Sequence, residues 1–221
     1  MILRKGGASA EMVNRNFVPF GSYEQSGNVK EPMEWQVLDV QGSSALLISR
    51  YGLDVKPYHP KNENMTWENC MLRNWLNSTF LNAAFTVAEQ QAIHLVVVDN
   101  GKSQCFSEWR PSGGNNTEDR LFLLSFTEAN RYFHVAYNDC NNLHPRACPT
   151  AYAMAQGAET NLSYKTLDGA SAGWWWLRSP GLDPYRAAGV GVDGSLSYSF
   201  LANGGGMVRP AMWVNLESGL F

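Results

Sequence analysis

Arg178 and Arg209 stand out as residues whose type and placing could do chemistry. Each sits beside a proline, in Arg178-Ser179-Pro180 and Arg209-Pro210-Ala211, and between them lies a glycine-rich stretch from Gly181 to Gly206. A guanidinium carries five donors in a rigid fork, so two of them flanking a loop can clamp a carboxylate or a phosphate. The same fork ties down main-chain carbonyls where irregular loops leave and rejoin a core, and such carbonyls need donors. That supporting role is the expected one. Trp174, Trp175, Trp176 and Trp213 frame the same stretch and could stack on sugar rings. Alternation along a strand turns some of them inward, so core packing is expected of each.

The remaining candidates for chemistry read as structural. His59, His94, His134 and His144 read as polar loop residues rather than as members of a nucleophilic triad. Gly204-Gly205-Gly206 follows a loop and precedes a strand, so it does not cradle phosphate at a helix N-terminus. Cys70, Cys105, Cys140 and Cys148 form no Cys-x-x-Cys pair. Cys140 and Cys148 lie near His134 and His144, where a metal site is conceivable, but free thiols are the expectation. No cofactor and no metal are expected.

Charged residues make up 17% of the chain, the net charge is −3, and no Lys/Arg run occurs. A nucleic-acid surface needs a basic stripe to displace counterions, and a membrane patch needs a polybasic cluster, so neither partner is expected. Ala8 to Asn16 contain no apolar segment of the signal-peptide kind, and no apolar run approaches the roughly 20 residues of a membrane span. The expected location is the cytoplasm or a phage particle.

The elements that must position these residues follow from pattern. Met1 to Asn16 read as a flexible lead-in, and residues 17–221 as a single α+β domain. Phe17–Tyr23, Glu34–Val40 and Ala45–Ser49 read as a meander of strands. Asp54 to Asn64 reads as a polar loop. Thr66 is expected to cap a helix through Phe80, and a second short helix runs from Thr86 to Leu95. Leu121–Leu124 reads as a buried strand, followed by a Ser125-x-x-Glu128 capping box and a helix. Thr150 starts another helical turn that Gly157 stops. Strands are expected at Trp174–Leu177, Ala187–Val192, Ser195–Phe200 and Met212–Leu216, with Asp193-Gly194 as a hairpin turn. Gly181 to Gly205 mixes Tyr, Arg, Asp, Ser, Asn and Gly much as antibody loops do.

Several motifs then become recognisable together: Phe20-Gly21-x-Tyr23, Glu34-Trp35-x-Val37-Leu38, Leu46-Leu47-Ile48-Ser49, Trp67-Glu68-x-Cys70-x-Leu72-Arg73-x-Trp75-Leu76-Asn77, Ala84-Phe85, Phe122-Leu123-Leu124-Ser125, Trp175-Trp176-Leu177-Arg178-Ser179-Pro180-Gly181 and Val208-Arg209-Pro210-Ala211. From Phe17 onward the chain resembles the bacterial and phage family DUF6273. Members resemble the formylglycine-generating-enzyme branch of the C-type lectin fold, and a subset serve as variable proteins of diversity-generating retroelements. The resemblance implies a C-type-lectin-like fold with short antiparallel strands, two or three helices and much irregular loop. It implies a ligand-binding protein whose variable region is 181–206, with a protein or glycan on a target cell surface as partner.

In such proteins adenine-directed mutagenesis of Asn codons cannot produce Lys, Glu, Gln, Met or Trp. Those five types make up nearly a fifth of this chain, yet Gly181 to Gly205 contains none. On this resemblance Ala187, Ala188, Val190 and Leu196 are inward frame positions. The displayed set is Leu182, Asp183, Tyr185, Arg186, Gly189, Gly191, Ser197, Tyr198, Phe200, Leu201 and Asn203, with Tyr185, Arg186, Tyr198 and Phe200 as anchors. The alternatives are a binding module of fixed specificity for a glycan or cell-wall fragment, and an oxidase of the formylglycine-generating type. The oxidase is disfavoured, because those enzymes use a late cysteine pair for copper and this chain has no cysteine after Cys148. Calcium-dependent sugar lectins carry Glu-Pro-Asn and Trp-Asn-Asp triplets that are also missing here.

Overall fold

The computed structural model describes residues 17–221 apart from 28, 62, 106–110, 136, 138 and 141. The expected lead-in, 1–16, lies outside the described residues. The chain starts as the predicted meander: β1 (Phe17–Glu24), β2 (Lys30–Gln41) and β3 (Ser44–Ser49) pair antiparallel. Gly42, at φ +61°, makes the tight link between β2 and β3. The segment expected to be a polar loop instead holds β4 (Asp54–Pro57).

The first helical region begins later than the sequence predicts. Thr66 opens a turn held by Asn69, and α1 (Met71–Trp75) starts at Cys70, whose Sγ accepts from Arg73 N. A π-helical turn, Leu76–Phe80, widens the helix before α2 (Leu81–Ala84). Thr86 and Glu89 then form a reciprocal capping box on α3 (Val87–Ala92). Next come β5 (Val96–Val98) and β6 (Thr117–Asp119), α4 (Phe126–Phe133) with the predicted Ser125–Glu128 box, and α5 (Ala151–Ala155) capped by Thr150. Gly157, at φ +98°, ends that last turn as expected.

Leu121–Leu124 is buried, but it is not a strand of any of the four sheets among the described residues, two of which are the two-stranded pairs β5–β6 and Thr160–Lys165 with Ser171–Gly173. Its one ladder contact is Phe122 with Ala211. Side chains satisfy much of the remaining backbone. Asn77 Oδ1 accepts from Arg120 N and Leu121 N, Asn77 Nδ2 donates to the Leu121 carbonyl, and Arg178 donates to the carbonyl of Leu123.

The C-terminal third supplies β7 (Thr160–Lys165), β8 (Ser171–Gly173), β9 (Trp175–Pro180), β10 (Arg186–Val190), β11 (Leu196–Leu201), β12 (Gly205–Val208) and β13 (Ala211–Asn215). β13 returns to pair with β3 and completes a four-stranded sheet, β1-β2-β3-β13. The second sheet has five strands in the order β11-β10-β9-β12-β4, with β12 parallel to β9. One ribbon joins the two larger sheets: β3 with β13 continues into β4 with β12, and Ser49 N donates to Pro210 O while Leu53 N donates to Val208 O at the crossing. The fold is therefore α+β, with short strands, few helices and long irregular connections.

Large rings fill the space between these pieces. Trp35, Trp67, Trp175 and Trp176 are fully buried. Each indole N–H finds an acceptor: Phe20 O, Asp119 Oδ2, Pro145 O and Lys56 O respectively. A buried indole left without one would pay its full desolvation cost. No described helix is long and apolar enough to cross a membrane.

Candidate functional site

Arg178 and Arg209 are scaffold, as expected. Arg178 is buried on β9 and donates to the carbonyls of Leu123 (2.8 Å) and Asp99 (3.0 Å), and both its terminal nitrogens meet the Glu128 carboxylate. Asp99 is in turn anchored: the Gly101 backbone N–H, working against burial, holds its carboxyl below the usual range. Arg209 sits where the ribbon crosses between sheets. Its Nε donates to Ser49 O at 2.9 Å, and its guanidinium lies 4.7 Å from the Trp175 ring. Neither guanidinium faces an open site.

Between these two supports the chain folds into the predicted hairpin, β10 and β11, closed by a turn in which Gly194 adopts φ +86°. The four frame positions, Ala187, Ala188, Val190 and Leu196, are completely buried. At the end of the hairpin away from that turn, six of the expected displayed residues come together. Tyr185 O accepts from Ala202 N, and Arg186 is the cross-strand partner of Leu201. Leu182, Tyr185 and Leu201 are exposed, at 47%, 38% and 47%, and Asn203 is exposed beside them. Asp183 and Arg186 are half-buried and ion-paired at 3.1 Å. The loop after β4 borders this end: Met65 N donates to Pro184 O and His59 N to Ala202 O.

Two of the eleven expected residues are not displayed. Tyr198 is 2% exposed and stacks on Phe126 (4.9 Å) and Tyr137 (5.0 Å). Gly189 is buried under the Phe200 ring, and a Cβ there would lie 2.8 Å from that ring. The register explains both. β11 carries one extra residue between Ser197 and Phe200 relative to β10. Tyr198 follows the alternation of the inward Leu196, and the bulge then turns Phe200 to the opposite face, over Gly189.

Phe200 and Gly191, with Ser197 half-buried nearby on β11, belong to a second region. Phe200 stacks flat on Trp174, with centroids 4.4 Å apart and planes 6° apart. The two rings, with Glu159, Thr160, Asn161, Tyr164, Gly191, Val192 and Asp193, line an open groove of about 590 Å³. Sequence reasoning missed the β7 wall of this groove. Thr160-Asn161-Leu162-Ser163-Tyr164-Lys165 has one exposed leucine and no apolar face, so periodicity gave it no element; only the alternating Leu162 and Tyr164 hint at a strand.

All four cysteines are free thiols, and burial pushes the Cys70 thiol up to about 12. Burial likewise raises that of Cys148. Among the described residues no three His, Cys, Asp or Glu side chains are grouped to hold a metal ion.

A protein-family profile described as "Domain of unknown function (DUF6273)" matches residues 42–216. Neither the curated proteins nor the solved structures contain a match to the chain.

Proposed function

The chain belongs to the DUF6273 family, and we propose that it is a ligand-binding protein with a retroelement-diversified surface on a C-type-lectin-like scaffold. The observation that carries this reading is the division within residues 181–206. Ala187, Ala188, Val190 and Leu196 are buried without remainder, whereas Leu182, Asp183, Tyr185, Arg186, Leu201 and Asn203 gather outside the core at one end of the hairpin. Side chains at that end can change without opening a cavity, so specificity is separable from folding. The short antiparallel strands, few helices and long connections are in keeping with the lectin-like scaffold.

Binding on this reading is non-covalent and uses no cofactor. Tyr185 and Arg186 act as anchors, with Leu182 and Leu201 supplying apolar contact around them. The partner is a protein or glycan on the surface of a target cell, and the protein works from the cytoplasm or from a phage particle. On this reading it is a binder and not an oxidase of the formylglycine-generating type, whose late cysteine pair has no counterpart after Cys148.

Sequencing the neighbourhood of the gene tests the proposal. A reverse-transcriptase gene should lie close by, together with a near-repeat of the region coding for 174–216 that differs only at adenines. Their absence would sink it.

A further inference from the structure

We infer that Asn203 is a site of spontaneous covalent modification, at which the main chain of Gly204 displaces the side-chain amide and leaves aspartate and isoaspartate on the exposed end of the hairpin. The only co-reactant is water. The Gly204 nitrogen gives up its proton to solvent and bonds to Asn203 Cγ. The Cγ–Nδ2 bond breaks, and the amide nitrogen takes a proton from solvent and leaves as ammonia. Water then opens the cyclic imide at one of its two carbonyls. One opening gives an ordinary aspartate, and the other routes the main chain through Cγ. A glycine in the following position favours this ring closure, because no Cβ crowds the attacking nitrogen.

The chain contains two Asn-Gly steps, Asn100-Gly101 and Asn203-Gly204. The fold treats them differently. Asn100 is 4% exposed, and both its main chain and its amide are tied down. Its backbone N–H donates to Asn116 Oδ1 at 3.1 Å, and its Nδ2 donates to Asn115 O at 2.9 Å and to Thr117 Oγ1 at 3.3 Å. The attacking N–H of Gly101 is itself held by Asp99 Oδ1 at 2.8 Å. Ring closure there must break all of these bonds and unpack a buried side chain.

Asn203 lies in the turn between β11 and β12 and is exposed, with no hydrogen bond to its amide among the described residues. One bond restrains the attacking nitrogen, from Gly204 N to Leu201 O at 3.0 Å. Releasing a single turn bond at the surface is a low-cost local opening, whereas freeing Asn100 needs a larger part of the fold to open. The product adds a negative charge to an end where Asp183 and Arg186 already balance each other in an ion pair. One encoded sequence thus presents this end in amide, aspartate and isoaspartate forms. The inference does not depend on whether residues 181–206 vary, nor on what they bind.

The test keeps the full chain folded in mildly alkaline buffer at physiological temperature and follows both steps by tryptic peptide mapping with fragmentation. Asn203 should gain the mass that separates an acid from an amide, and isoaspartate should appear beside aspartate. Asn100, read in the same digests, should convert at least about tenfold more slowly, because its opening is costlier. In concentrated urea, which removes the folded protection, the two rates should become equal. Gly204→Ala places a Cβ whose one close neighbour is Leu201 O at 3.2 Å, and the added methyl should slow conversion at Asn203 severalfold. An Asn203 that keeps its amide in the folded chain while converting in urea, equal rates at Asn100 and Asn203 in the folded chain, or a Gly204→Ala rate matching the parent would each overturn the inference.

Discussion

Single residues divide the hairpin between buried and exposed positions. Arg178 is 2% exposed in its side chain, against 29% for its partner Glu128, and it also carries the carbonyls of Leu123 and Asp99. Removing one partner of a buried ion pair leaves an uncompensated charge and orphaned acceptors, typically at a cost of 3–5 kcal/mol. Arg178→Met should therefore lower stability in urea unfolding by about 3 kcal/mol. A change under about 0.5 kcal/mol would show that the guanidinium is not the support assigned to it. This role was legible in sequence, because arginines next to prolines at loop boundaries have carbonyls to satisfy. Tyr198 shows the opposite case. Period-2 alternation from the inward Leu196 turns Tyr198 inward as well; reading tyrosine as a contact residue sets that periodicity aside. The later switch of Phe200 to the other face depends on a bulge, and nothing local in Ser197-Tyr198-Ser199-Phe200 announces it.

At the scale of elements, legibility followed how local the stabilising interactions are. Both capping boxes close within four residues, and the box at Ser125 was readable as Ser-x-x-Glu. Ser125→Ala removes the acceptor for Glu128 N and the donor to Gln104 Oε1. It should cost about 1–2 kcal/mol in denaturant unfolding, the usual range for a lost N-cap. An unchanged midpoint would mean that α4 does not need its cap. β4 and β12 escaped notice because they pair with each other across about 150 residues, as Met207 with Val55 and Val208 with Asp54. Leu121–Leu124 misled for a related reason. Its apolar run is correct for burial, yet it pairs only through the single Phe122–Ala211 bridge, and the backbone of Leu121 and the carbonyl of Leu123 are met by the side chains of Asn77 and Arg178. The early start assigned to the first helix fails because Asn69 turns the chain at Thr66, and the Cys70 thiol takes over as cap.

For the whole molecule, the buried frame that sets stability is distinct from the exposed residues to which the proposal assigns recognition. Replacing Leu182, Tyr185, Leu201 and Asn203 together by serine should shift stability by no more than about 1 kcal/mol, since exposed positions contribute little each. Tyr198→Ala should cost roughly 3–5 kcal/mol, as other large aromatic truncations in cores do. Differential scanning calorimetry of the two variants beside the parent distinguishes them. Equal losses would place the whole hairpin in the core and leave no room for an exchangeable face.

The most direct measurement is to sequence this gene from many isolates of one lineage. Substitutions should concentrate at 182, 183, 185, 186, 201 and 203, should introduce no Lys, Glu, Gln, Met or Trp there, and should spare Ala187, Ala188, Gly189, Val190, Leu196 and Tyr198. Differences spread evenly along the chain, or identical residues at 182–203 in every isolate, would contradict the claim of a diversified binding surface.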